Sequence, residues 1–140
     1  YFLQTLSNSH QEIGSGMIGE LPEAQDPLAV LHHIKSQLGV PVIRHTQLLE
    51  KKIKKIAICG GSGSFLLPNA LAAGADMFVT ADYKYHEFFD ADKQVVIADV
   101  GHFESEQFTQ MLLFETITKI FPNFALHLTE QVTNPIKYLI

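Results

Sequence analysis

A histidine and a glutamate that could share a metal ion stand four residues apart in the stretch Val95–Phe108. This stretch has the pattern of a buried strand, a glycine turn and the start of a helix, with His102 and Glu106 at the junction. One helical turn separates the two side chains, so they point the same way. A neutral imidazole and a carboxylate at this spacing can bind one divalent cation. We therefore predict that both residues are metal ligands, although a bound ion normally requires three or four.

Two neighbouring carboxylates have different expected roles. Asp99 lies within or at the end of the strand, where it can orient a metal-binding side chain without contacting the metal itself. Glu104 falls on another face of the helix from Glu106 and is the less suitable ligand. The ordinary alternative is that these acidic residues only stabilise the positive end of the helix dipole.

Two further polar loops, Gly60–Ser64 and Thr80–His86, follow the two preceding apolar runs. Loops that follow successive parallel strands gather at one edge of a sheet, so we expect a cleft there. The residues expected at its rim are Ser62, Ser64, Thr80, Asp82, Lys84, His86, Asp99, His102, Glu104 and Glu106.

The glycine-rich loop can present backbone N–H groups to an anion at the start of a helix. It lacks the Gly-Lys-Ser/Thr ending of a Walker loop, and the alternative is a tight turn that requires glycine. Cys59, inside the preceding strand, is predicted to be a packed small residue rather than a nucleophile. The predicted substrate- or anion-binding residues are Gly61, Ser62, Gly63, Ser64, Thr80 and Asp82.

The second loop places a carboxylate, an ammonium and an imidazole within seven residues. Lys84 could contact a phosphate, and His86 could act as a general acid or base, so both are candidate catalytic residues. The alternative is a surface ion pair between Asp82 and Lys84.

The elements that must position these loops alternate between strand and helix. This alternation predicts an α/β fold, a three-layer sandwich with a largely parallel central sheet. The first central strand is expected to be buried on both faces. The predicted strands are Ile56–Cys59, Met77–Thr80 and Val95–Ala98, and the helices run from about Ser64 to Ala73 and from about Glu104 to Ile120, with an irregular segment at 81–91.

The flanking sequence predicts further elements. Asp26 caps a helix that begins at Pro27 and ends at Gly39. His32 and His33 are adjacent on it and splay apart, so we expect surface histidines. The apolar face of this helix is predicted to be Leu28, Leu31, Ile34 and Leu38, and further short strands are predicted at Tyr1–Leu6, Pro41–His45 and Phe124–Leu128, with loops at 7–10 and 46–52.

Composition limits the classes of protein. The 140 residues suit one domain, alone or with a piece of another, and 46% hydrophobic content supports a core. The net charge of −5 makes nucleic acid an unlikely partner, so the run Lys51–Lys55 is expected to be a solvated approach to a strand. A lone Cys59, with no signal peptide or membrane span in the sequence, favours a cytoplasmic protein. The start at Tyr1 predicts a fragment.

Three ordered motifs carry a family resemblance: Ile58–Ser64, Gly74–His86 and Asp99–Glu106. Together with the ending Thr133–Ile136, they resemble the C-terminal half of the NIF-three-like (YbgI-like) family, whose members include GTP cyclohydrolase 1 type 2 homologues. The resemblance extends from about Gly14 to the C-terminus. It implies that residues 1–21 are the end of an insertion domain with its return strand. Residues 22–140 would be a C-terminal α/β domain without its N-terminal half.

The resemblance also implies a function. His102 and Glu106 match the family's C-terminal metal ligands, and the other ligands of a two-ion site (Zn, Mn, Fe or Ni) would come from the absent half. The implied activity is metal-dependent hydrolysis of a nucleotide or phosphorylated small molecule, or, alternatively, a metal-binding assembly or regulatory module without turnover. The family forms toroidal homo-oligomers, commonly hexamers. One departure is Ala81, where the family usually has glycine.

Overall fold

Six strands form one mixed sheet in a computed structural model that describes residues 4–6 and 14–139. The spatial order is β1-β2-β4-β5-β6-β3. The three central strands β4, β5 and β6 are parallel, while β1, β2 and β3 pair antiparallel with their neighbours. The predicted parallel centre is therefore confirmed. The strands are β1 Gln4–Leu6, β2 Gly16–Gln25, β3 Arg44–His45, β4 Ile53–Ser62, β5 Met77–Ala81 and β6 Val96–Asp99.

Helices cover both faces of the sheet and complete the three layers. One core cluster packs α1 against the sheet through Val30 and Leu31, and the other packs α2 on the opposite face through Leu67 and Ala70. The helices are α1 Pro27–Leu38, α2 Leu67–Ala72, α3 His102–Glu106 and α4 Thr109–Ile120, with 3₁₀ helices at Ser64–Leu66 and Tyr85–Ala91.

Helix α1 begins and ends where its sequence predicts. The Asp26 carboxylate accepts hydrogen bonds from the N–H groups of Leu28 (2.9 Å) and Ala29 (3.1 Å), and Gly39 closes the helix in a left-handed conformation at φ +64°. His32 and His33 are exposed, as predicted. The predicted apolar face is wrong at its first position. Leu28 is 48% exposed, because the buried stripe runs through Val30 and Leu31.

Strand β4 is buried on only one side near its end, contrary to the prediction. Ala57 and Cys59 are buried, but Ile58 between them is 45% exposed. An open cavity of about 360 Å³, lined by Ile58, Ile34 and Ser105 among others, lies on that side. Helix α1 lines the same cavity through His33 and Ile34 without burying Ile58.

The C-terminal part departs most from the sequence-based expectation. The predicted long helix is two helices, α3 and α4, separated at Gln107 and Phe108. The Gln107 side-chain amide donates to the carbonyls of Glu104 and Leu38, both at 2.9 Å. In a continuous helix the Glu104 carbonyl would accept from the N–H of Phe108. The strand predicted at 124–128 is absent from the described residues, because that segment pairs with neither sheet edge.

Several flanking predictions also have outcomes. The strand predicted at 41–45 is reduced to Arg44–His45, and the first strand is confirmed at Gln4–Leu6. The loop predicted at 7–10 lies outside the described residues, and the domain boundary predicted after Leu21 falls inside β2. In the lysine run, Lys51 forms an ion pair with Asp76 at 2.8 Å. No helix in the described part of the chain has the length and apolar character to span a membrane.

Candidate metal centre

The carboxyl ends of β4 and β5 and the start of α3 meet at one edge of the sheet, and residues 60–62 of the predicted glycine-rich loop are the last residues of β4. Ser105 Oγ accepts from the Gly61 N–H at 2.9 Å and donates to the His102 carbonyl at 2.8 Å. The buried Thr80 hydroxyl donates to the Gly61 carbonyl at 3.2 Å. These bonds join the glycine-rich loop to the end of β5 and to the start of α3, as expected for parallel strands.

His102 lies between two carboxylates. Its Nδ1 is 2.6 Å from Asp82 Oδ2, and its Nε2 is 3.4 Å from Glu106 Oε2. All three side chains are about half exposed, at 48%, 46% and 51% for His102, Asp82 and Glu106. The spacing of His102 and Glu106 on α3 accounts for one contact, and the loop after β5 supplies the other.

The His102–Glu106 separation suits a shared ion better than a hydrogen bond. Good N–H···O bonds have heavy atoms about 2.7–3.2 Å apart, shorter than the 3.4 Å found here. In a tetrahedral zinc site with ligand distances of about 2.0–2.2 Å, two ligand atoms lie about 3.3–3.5 Å apart. The donor set, one imidazole nitrogen and one carboxylate oxygen, also fits Zn, Mn, Fe or Ni.

Gly61 provides the room for this pair. A Cβ atom at Gly61 would lie 2.5 Å from Glu106 Oε1 and 3.2 Å from His102 Cε1, and the backbone has φ +63°. The positive φ favours glycine here, and any larger residue would displace the Glu106 carboxylate from its place beside His102. Gly63 is needed for a different reason, since its Cβ would lie 2.9 Å from the buried Cys59 Sγ. The glycines of this loop therefore have packing roles besides the anion-binding role that the sequence suggested.

The charges of the site change the acidity of two groups. The hydrogen bond that the His102 ring donates to Asp82, together with the charges of Asp82 and Glu106, raises the pKa of His102 above its usual value against the opposing effect of burial. Burial, and then the charge of Glu106, raises the pKa of the Cys59 thiol. Cys59 is 7% exposed, which agrees with a packed residue rather than a nucleophile.

Asp99 connects the loops after β5 and β6. Its Oδ2 accepts from the Tyr83 N–H at 3.0 Å, and its Oδ1 accepts from the Gly101 N–H at 3.0 Å. Arg44 forms an ion pair with Asp99, donates to the Tyr83 carbonyl at 2.9 Å and lies over the Phe88 ring. Asp99 is buried, but the hydrogen bond to the His102 ring is made by Asp82 and not by Asp99, so the orienting role predicted for Asp99 stays a prediction. Sequence reasoning missed Arg44, whose only signal was a cation ending a short apolar run.

Glu104 faces away from the metal candidates. It is 6% exposed, and its Oε1 accepts from the Asn134 amide at 3.1 Å. Its Oε2 lies near Gly101 and has no hydrogen-bond partner among the described residues. Burial, and then the charge of Glu104, raises the pKa of Tyr138. Glu104 thus anchors the C-terminal segment to α3.

The remaining predicted site residues are not joined to the His102 pair. Lys84 is exposed and pairs with Glu87 at 3.8 Å, so the alternative pairing with Asp82 is not formed. His86 is exposed on the 3₁₀ helix. Ser62 is exposed and Ser64 half-buried beside the glycines. In the described part of the chain, no three His, Cys, Asp or Glu side chains form a group able to hold a metal ion.

Comparison with known proteins decides the family. The sequence profile of Duf34/NIF3 (NGG1p interacting factor 3) matches residues 3–135. The chain belongs to this family. A Staphylococcus epidermidis relative named GTP cyclohydrolase 1 type 2 homolog is 35% identical over 135 residues, covering 94% of this chain and 37% of the relative. A Clostridium perfringens relative of the same name is 41% identical over 96 residues, covering 68% and 37%. This family member therefore spans 37% of the length of these relatives.

Solved structures agree with the fold. A Staphylococcus aureus protein of 31% identity superposes with a TM-score of 0.77, over 90% of this chain and 37% of its own. The ybgI protein, described as of unknown function, superposes with a TM-score of 0.74 at 22% identity, over 89% of this chain and 50% of its own. The resemblance drawn from the three motifs and the three-layer α/β prediction are both confirmed.

Proposed function

We propose that this family member supplies two ligands, His102 Nε2 and a Glu106 carboxylate oxygen, to a divalent metal site. The 3.4 Å separation of these atoms carries the proposal. The space that Gly61 leaves beside them and their half-exposed side chains also support it, because an ion and its water can reach both. Two protein ligands are fewer than a tightly bound ion needs. The other ligands, and a second ion, would then come from the part of the relatives that this chain does not span.

For the whole protein we propose a metal-dependent hydrolase that acts on a nucleotide or phosphorylated small molecule. The name GTP cyclohydrolase 1 type 2 homolog of its relatives supports the substrate class. A bound divalent ion would supply a water of lowered pKa and a positive charge for a developing oxyanion. Lys84 and the exposed Ser62 hydroxyl would bind the phosphate, and His86 would move a proton to or from the substrate.

The second candidate is a metal-binding assembly or regulatory module without turnover. It is favoured by the engagement of Lys84 with Glu87 and by the family's description as an interacting factor. The surface of α4 favours assembly as well. None of its twelve residues is buried, and Leu112 and Leu113 are 62% and 54% exposed. A homo-oligomer is compatible with both proposed functions.

The ligands are tested by titrating this chain with Zn²⁺ and following the imidazole resonances of His102 by NMR. We expect weak, exchanging binding at His102, lost in His102→Ala and in Glu106→Ala. His32→Ala is the matched control, because His32 is an exposed histidine on α1 that is neither partner of the His102 contacts. An unchanged zinc response in His102→Ala would exclude His102 as a ligand. Stoichiometric tight binding by this chain would contradict a site completed from elsewhere.

Turnover separates the two candidates. A protein of the relatives' full length that includes this chain is assayed for metal content and for hydrolysis of GTP and a simple phosphoester. Hydrolysis that disappears with His102→Ala supports the enzyme. Bound metal that disappears with the same substitution, without hydrolysis in the parent, supports the assembly module.

A further inference from the structure

Asp82 contacts the His102 ring on the side opposite Glu106. The Nδ1 of His102 is 2.6 Å from Asp82 Oδ2, a short and strong hydrogen-bond distance. Because an ionised carboxylate can only accept, the proton of this bond is on Nδ1. We propose that Asp82 is a positioning residue that fixes the tautomer and orientation of His102, leaving the lone pair of Nε2 directed toward Glu106. The effect of Asp82 on metal binding rests on the proposed function, whereas its effect on the tautomer of His102 does not depend on that proposal.

The backbone at Asp82 is held in an unusual conformation for this contact. Asp82 has φ +59°, the left-handed region that residues with a Cβ rarely adopt. The next residue, Tyr83, donates its N–H to Asp99 Oδ2, and Gly101, the residue before His102, donates its N–H to Asp99 Oδ1. One buried carboxylate therefore fixes the backbone beside both members of the pair. Aspartate adopts this conformation more readily than most residues with a Cβ, so the turn can direct the Asp82 carboxylate at His102.

Two other roles explain Asp82 less well. One is a surface ion pair that only stabilises the fold. Exposed pairs contribute little to stability, so this role would not explain why Asp82 is held in place. The anion-binding role predicted from sequence conflicts with the negative charge of Asp82, which would repel an anion. A carboxylate on the far nitrogen of a metal-binding histidine is, by contrast, the usual arrangement for fixing the tautomer and strengthening the ligand.

The test begins with the metal-free chain at a pH high enough to neutralise the imidazole. Long-range ¹H–¹⁵N NMR of His102 reports which ring nitrogen carries the proton. We expect the proton on Nδ1 in the wild type and in Asp82→Asn, which keeps an acceptor oxygen and tolerates the left-handed backbone. In Asp82→Ala and Asp82→Gly the proton should move largely to Nε2. A wild-type proton on Nε2, or a tautomer unaffected by Asp82→Gly, would overturn the proposal whatever the metal result.

Zinc titration of the same variants gives the second readout. Loss of Asp82 should weaken Zn²⁺ binding about 10- to 100-fold, with Asp82→Asn between the wild type and Asp82→Gly. Asp92 is the matched control: it is also a left-handed aspartate, at φ +41°, on the far end of the 3₁₀ helix. Asp92→Gly should leave both tautomer and zinc affinity unchanged. A wild-type chain with the Nδ1 proton but no zinc binding would refute the proposed function and leave the positioning role of Asp82 standing.

Discussion

Replacing Gly61 by alanine should weaken metal binding more than it weakens the fold. At φ +63° an alanine costs about 1–2 kcal/mol. The smaller entropy of the unfolded alanine chain returns about 0.4–1 kcal/mol of this. The net loss is therefore at most about 1.6 kcal/mol, which corresponds to a fall in Tm of no more than about 6 °C for a domain of this size.

The effect on the site follows from the position of the new methyl group. It would lie 2.5 Å from Glu106 Oε1, and the Glu106 side chain is half exposed and free to rotate into solvent. We expect the carboxylate to leave His102, and Zn²⁺ affinity to fall at least about tenfold, as it does when groups that orient a ligand are lost.

Gly63→Ala is the control, because it should weaken the fold more than it weakens metal binding. Its methyl group would lie 2.8 Å from Cys59 Cβ and close to the buried Thr80 hydroxyl, and neither group can move into solvent. Overpacking of this kind costs about 1–3 kcal/mol. Zinc binding should persist in this variant.

The assay combines thermal unfolding in the presence of a chelator with NMR-detected zinc titration of both variants. Zinc affinity in Gly61→Ala equal to that of the wild type would refute the argument that Gly61 makes room for the ligand pair. A Gly63→Ala variant that loses zinc binding but keeps its Tm would refute it as well.

Three further predictions concern the surroundings of the site. Asp99→Ala should lower the free energy of unfolding by about 2–4 kcal/mol in urea titrations, because the buried Tyr83 N–H and the partly buried Gly101 N–H lose their acceptor; a loss below about 1 kcal/mol would contradict this. Burial alone would raise the pKa of Asp76, but hydrogen bonds from the Lys51 side chain and from the N–H groups of Lys55 and Lys54 lower it below its usual value. The stabilisation by Asp76 should therefore be full above its unfolded pKa of about 3.9 and disappear as pH falls through the folded pKa. Asp76→Asn should accordingly differ from the wild type at pH 6 and converge with it in acid, and a constant difference would be inconsistent. Cys59 should react with iodoacetamide at pH 8 about 100-fold more slowly in the native protein than in urea, because burial raises its pKa, and equal rates would argue against burial.

The sequence predicted elements best where the signal was local. The cap at Asp26, the stop at Gly39 and the buried strand β5 depend on neighbouring residues and were placed correctly. The division between α3 and α4 was missed because it depends on a bond from Gln107 to Leu38, 69 residues away. Exposed Ile58 was missed for a similar reason, since its environment depends on where α1 lies.

The candidate site divides in the same way. His102 and Glu106 were paired from their helical spacing, which is a local property. The contact of Asp82 with His102 joins residues 20 apart through the pairing of β5 with β6, so only the shared sheet edge was predictable. The role of Gly61 required knowing how close α3 approaches the end of β4.

The strands and loops that assemble the His102 pair form one uninterrupted stretch of chain, from Ile53 to Glu106. The bonds that join its loops link residues 16 to 44 positions apart, and both partners of each bond lie inside the stretch. Arg44, outside the stretch, reinforces them through Asp99 and Tyr83. Such a unit can form early in folding, before the ends of the polypeptide are in place. It also means that sequence on either side of the stretch can be inserted or exchanged without breaking the bonds that hold the ligand pair.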